Sequence, residues 1–119
     1  MKVTIDINEQ ILEDILITAI ESGIGYWANK VRPGNLSVIN GEGIPYYAHV
    51  THEHWEIKIY DKYEKNSPYT LTKKKLQSGL AIMAECYPRH FANLDTGNFD
   101  STTADVFIQC CLFGELVYG

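Results

Sequence analysis

The sequence predicts an α+β domain: an N-terminal helix, a small antiparallel β-sheet and two C-terminal helices packed on one face of it. Three observations carry this reading. Ile11, Leu12, Ile15, Leu16, Ala19 and Ile20 recur at helical spacing. Trp55, Ile57 and Ile59 alternate with Glu56, Lys58 and Tyr60, the period of a half-buried strand. The closing stretch DSTTADVFIQCCLFGELVYG is apolar except at Asp105, Gln109 and Glu115 once its helix is under way. A helix apolar on nearly every face must be buried, inside its own fold or against another copy.

Taken in order, residues 2–7 alternate Val3, Ile5 and Ile7 with Lys2, Thr4 and Asp6, which suits a short strand or extended arm. Asn8 is placed to cap the first helix, with Glu9 in its first turn, where the helix dipole favours a carboxylate. That helix is expected to run through Ser22, where Gly23 and Gly25 end or loosen it, and Tyr26 and Trp27 are expected to pack over its end. Residues 32–45 read as a loop with a short strand at 36–39. Residues 46–51 are expected to pair antiparallel with the Trp55–Ile59 strand across a tight connection near His52 and Glu53. Residues 62–68 read as polar linkage. A second helix, capped by Thr70 or Thr72, carries Leu76, Leu80, Met83 and Tyr87 at helical spacing until Pro88 stops it. Residues 88–94 suggest a further helical turn presenting Phe91. Asp100 or Ser101 then caps the last helix, which is expected to extend past Glu115.

The 119 residues predict one domain, able to bury roughly 65% of its unfolded surface without metal or disulfide support. The formal net charge of -5 favours solubility and argues against direct nucleic-acid binding, which needs clustered Lys and Arg. Cys86, Cys110 and Cys111 are odd in number, and two are adjacent within a helical pattern. They read as reduced, inert side chains rather than a disulfide framework. The opening MKVTIDINEQ lacks the apolar core of a signal peptide, and no apolar run approaches about 18 residues. The expectation is a cytoplasmic protein without a membrane partner, in a cell or an infected host.

Chemistry-bearing residues fall into three groups. His49, His52 and His54 offer imidazoles that could take zinc if a third ligand arrived, but strand register turns His54 to the water side with Glu56 and Lys58. Arg89, His90 and Asn93 follow Pro88 as a possible recognition patch, Arg89 offering a fork-shaped donor to an anion. Tyr46, Tyr47 and Tyr60 belong to a run of tyrosines of the kind that marks protein or planar-ligand interfaces. Glu21 and Glu115 are the carboxylates expected to feel burial. Glu115 would pair with Arg89 or Lys30, or lie at an interface. No Gly-x-Ser-x-Gly, Walker loop or dinucleotide fingerprint is present, and no cofactor or metal is expected.

The segments ILITAIESGIGYWA, LTKKKLQSGLAIM and TADVFIQCCLFGELVYG resemble a family of small proteins encoded in phage and prophage genomes. The resemblance covers both ends and the second helix, not residues 32–69, and the closing motif is its most distinctive part. It brings no catalytic or binding residue. It implies a phage accessory protein of the kind that antagonises host defence. The leading expectation is therefore a non-enzymatic, self-associating protein that occludes a host defence protein through Tyr46, Tyr47, His52, His54, Tyr60, Arg89, His90 and Asn93. An oligomeric sponge for a nucleotide-like signal and a small metal-dependent enzyme built on the histidines are the alternatives.

Overall fold

The computed structural model describes residues 8–34, 50, 52–63 and 67–119. The strands expected at 2–7 and 36–39 lie outside those residues, as do most of 46–51.

Asn8 caps the first helix, its Oδ1 accepting from the Gln10 amide at 2.7 Å, and α1 runs Glu9–Thr18. The helical path does continue beyond Ser22, but its last stretch, Ala19–Gly23, widens into a π-helical turn. There Ile24 N donates to Ala19 O at 2.8 Å. Leu12, Ile15, Leu16 and Ala19 are buried, as the stripe predicts. Trp27, just past the turn, is fully buried, whereas Tyr26 keeps 47% exposure.

Three antiparallel strands follow: β1 (Ala28–Pro33), β2 (Glu56–Asp61) and β3 (Tyr69–Thr72), in the order β1-β2-β3. The alternation in β2 holds, with Ile57, Ile59 and Asp61 turned inward. The partner expected for β2, residues 46–51, is not the one found. One edge of β2 pairs with β1, Val31 opposite Ile59, and the other with β3, Ile57 opposite Leu71. β1 is hard to see in the sequence because Asn, Lys, Arg and Pro make up most of it and a register shift breaks it between Ala28 and Lys30. β3 is only four residues long.

Thr72, not Thr70, caps α2 (Lys73–Cys86), accepting from Lys75 N at 3.2 Å, while Thr70 belongs to β3. Pro88 ends that helix by starting another. α3 spans Pro88–Asp95, with proline in its first turn, where its missing N–H costs nothing. Asp100 caps α4 (Ser101–Phe113), accepting from Thr103 N at 2.9 Å.

α4 is the centre of the molecule. Thr103 through Cys111 are all buried, an unbroken run that only a helix surrounded on all sides produces. It packs against α2 and the π-helical turn, with further contacts to α1, α3 and β3. The crossing with α2 is close because Gly79 lacks a side chain: a Cβ there would sit 2.8 Å from Cys111 Cα and 2.9 Å from Cys111 N, backbone atoms that cannot step aside. Ile57, Ile59, Leu71, Met83, Leu94 and Phe107 complete the core, each worth about 1.5–3 kcal/mol of burial.

The final segment departs from expectation. α4 stops at Phe113, where Gly114 takes a left-handed conformation (φ 73°) that an ordinary side chain would resist. The chain then reverses over the domain as a short tail. Glu115 is exposed and outside the helix, and Glu21 is also exposed. Among the described residues the buried carboxylates are instead Asp61 and Asp105, 1% and 9% exposed.

Candidate functional site

Asp105 and Gln109 stand four residues apart on α4, so they share one face of an otherwise apolar helix. The Asp105 carboxylate accepts from Tyr26 OH (2.5 Å), Trp27 Nε1 (2.9 Å) and Gln109 Nε2 (3.0 Å). Gln109 is completely buried, and its amide behaves as a peptide group would. Its Oε1 accepts from Val117 N (2.8 Å) and Tyr118 N (2.9 Å), while Nε2 donates to Tyr118 O at 3.2 Å. One side chain thus grips the reversed tail from both polarities.

The tail brings Tyr118 into the aromatic layer. Its ring stacks on Trp27 with centroids 4.9 Å apart and planes 7° from parallel, and it lies 6.0 Å from Phe113. Its hydroxyl donates to Asp61 Oδ2, which also accepts from Tyr69 OH at 3.2 Å, while Tyr63 N bonds Asp61 Oδ1 at 2.7 Å. Asp61 terminates the inward row of β2 and Asp105 lies on α4, so each buried carboxylate anchors a tyrosine. The bond to Asp61 and then burial raise the Tyr118 phenol above its ordinary value. Burial, followed by the Asp105 bond, pushes Tyr26 up to about 12. No side-chain polar atom buried among the described residues lacks a partner.

Beside this network lies a cleft of about 460 Å³, bordered by Tyr26, His90, Ser101, Thr102, Asp105 and Leu116 among others. His90 Nδ1 is 2.9 Å from Thr103 Oγ1, and the Thr103 amide donates to Asp100 Oδ1 at 2.9 Å. The Thr103 amide chiefly holds the Asp100 carboxyl below its usual value. The cleft is a polar recess with donors and acceptors on its walls. Burial raises both thiols of α4, Cys110 to about 11 and Cys111 well above its ordinary value.

The outer face of the sheet has a different character. Lys30 lies opposite Tyr60, Arg32 opposite Lys58, Lys58 opposite Thr70 and Glu56 opposite Thr72, so these residues share the face turned away from the core. Lys30 Nζ stands 4.5 Å from the Tyr60 ring centroid. Lys58 Nζ donates to Thr70 Oγ1 at 2.8 Å and lies 4.0 Å from Glu56 Oε1. At the β3 border, Lys75 Nζ donates to Thr70 O at 2.6 Å. Three cations and a fourth at the margin meet one carboxylate here, in a chain of net charge -5.

The residues singled out from sequence are distributed rather than gathered. Tyr46, Tyr47 and His49 lie outside the described residues. His52 and His54 occupy an exposed turn, their rings 5.6 Å apart, with Glu53 Oε1 3.4 Å from His54 Nε2. Among the described residues no three His, Cys, Asp or Glu side chains are grouped to hold a metal ion. Tyr60 lies on the outer face of the sheet. Arg89 and Asn93 are exposed on α3, while His90 bonds Thr103 beside the α4 cleft. Sequence reasoning missed Asp61, Asp105, Gln109 and Tyr118, and the pairing of Lys30 and Arg32 with Tyr60 and Lys58.

In class this is an α+β domain built round a buried central helix. Its chain matches no protein-family model, no curated protein and no solved structure.

Proposed function

We propose that the chain is a phage-encoded, non-enzymatic binding protein that antagonises a bacterial defence system by covering a surface of a host protein. The observation that carries this reading is the outer face of the sheet, where Lys30, Arg32 and Lys58 flank Tyr60 on a protein whose overall charge has the opposite sign. Segregated charge steers a partner and fixes its orientation, and a half-buried tyrosine adds apolar area at little entropic cost. Self-association is part of the proposal and rests on Leu116 and Val117, which the reversed tail leaves 42% and 54% exposed. The nucleotide-sponge reading is weaker, since Arg89 is not among the residues bordering the α4 cleft. Among the described residues no helix is long and apolar enough to cross a membrane.

The test is co-purification of the tagged protein with defence effectors from a bacterial host, followed by assay of each captured effector. A stable complex that silences the effector, and that Arg32→Glu with Lys58→Glu disrupts, is the expected result. Undiminished activity of every candidate effector at saturating protein overturns the proposal.

A further inference from the structure

A second cleft, of about 350 Å³, runs along β1 on the side of the π-helical turn. Its lining includes the half-buried Ile20 and Val31, the buried Ile24 and the polar Asn29, and Gly25 opens it further, because a Cβ built there would meet no atom within 4 Å. Lys30 and Lys62 stand among its lining residues, and both are exposed. The carboxylate next to Lys62 in sequence, Asp61, is turned into the core and bonded to Tyr118 and Tyr69. Lys30 also stands over Tyr60, so the groove and the cationic sheet face are continuous through one residue.

An apolar trough rimmed by ammonium groups is complementary to an apolar side chain flanked by carboxylates. We infer that the groove beside β1 seats an apolar anchor from an acidic segment of a partner protein, with Lys30 and Lys62 gripping the flanking carboxylates. The inference rests on the occlusion reading above and names the partner's chemistry. A nucleic acid fits less well. A phosphodiester chain has no aliphatic group for Ile20, Ile24 and Val31, and a chain of charge -5 repels an extended polyanion as a whole. A short acidic peptide feels the local lysines first, because charges beyond about 8–10 Å are screened at physiological salt.

The probe is a fluorescein-labelled peptide, Glu-Asp-Glu-Leu-Glu-Asp-Glu, titrated by anisotropy beside a control in which Ser replaces Leu and beside labelled oligo-dT. The leucine peptide is expected to bind about tenfold more tightly than the serine control, the value of burying one such side chain. Gly25→Leu, which fills the open space, should erase that difference. Lys30→Glu with Lys62→Glu should weaken both peptides, and it keeps the test open if Gly25→Leu does not fold. Equal binding of the two peptides, indifference to the charge reversal, or tighter binding of oligo-dT overturns the inference. Its failure is distinguishable from failure of the occlusion reading. An effector captured through Arg32 and Lys58 but indifferent to Gly25→Leu and Lys62→Glu removes the groove and leaves occlusion standing. Leucine-dependent peptide binding without capture of any effector does the reverse.

Discussion

Asp105 and Gln109 on α4, and Arg32 and Lys58 on the sheet, are all polar side chains on regular elements, yet they serve opposite ends. The α4 pair is buried and bonded within the fold, Asp105 to Tyr26 and Trp27 and Gln109 to the chain's own tail. The sheet cations lie on the outer face, where Arg32 is exposed and Lys58 keeps 35% side-chain exposure. Burial makes an unmet hydrogen bond expensive, so the first region is tuned for stability. Exposure makes charge cheap to carry and available to a partner, so the second tolerates substitution in the free protein. A mutation should therefore declare its region by what it damages.

The largest effect is expected from Asp105→Ala, which removes the acceptor shared by Tyr26 OH, Trp27 Nε1 and Gln109 Nε2 and leaves the buried indole N–H without its partner. It should cost about 3 kcal/mol in denaturant unfolding. A loss below about 1 kcal/mol would place the anchor elsewhere. Gln109→Leu keeps the bulk but releases the amides of Val117 and Tyr118. It should cost about 2 kcal/mol and open the tail to limited proteolysis, and a protease pattern like the parent's would contradict the clamp.

Tyr118→Phe removes only a hydroxyl and should cost about 1 kcal/mol near neutral pH. It also has a signature at high pH. Both Tyr26 and Tyr118 have phenol pKa values raised above 10.0 in the folded state, so above pH 10 the unfolded chain releases protons the folded chain retains. Stability from these groups is complete below pH 10 and is lost as pH rises through about 12, the folded value of Tyr26. Melting curves across that window should fall for the parent and fall less for Tyr26→Phe and Tyr118→Phe; identical slopes would remove the tyrosines from the account. Smallest in stability is Lys30→Glu with Arg32→Glu, within about 0.5 kcal/mol of the parent, although capture of a partner through the sheet should drop at least about tenfold. Normal capture by that variant, or marked destabilisation, would erase the contrast between the two regions.

How much of this was legible in the sequence follows the same divide. The caps at Asn8, Thr72 and Asp100, the inward row of β2 and the break at Pro88 are local, and local chemistry decides them. Asp61 was legible too: it continues the period that Ile57 and Ile59 begin, so the alternation that buries them buries it. Asp105 and Gln109 were visible as interruptions of an apolar run, but their spacing of four, which puts them on one stripe, is what carries the meaning. Gly114 could have marked the end of α4. With the helix carried past it, Glu115 took the role that belongs to Asp105. What no local pattern shows is pairing. β1 carries only Ala28 and Val31 inward among polar residues and β3 is four residues long, so the meeting of Lys30 and Arg32 with Tyr60 and Lys58 depends on long-range register.

Gln109 also works as a ruler. Its amide is a single pair of contact points, and the chain leaving Gly114 must deliver the N–H of Val117 and both polar groups of Tyr118 to it at one spacing. Adding one residue between Gly114 and Val117 would offset that delivery, moving the phenol off the indole and off Asp61, which would keep only its bonds to Tyr69 and Tyr63. The tail has one seating, and its length is part of the lock.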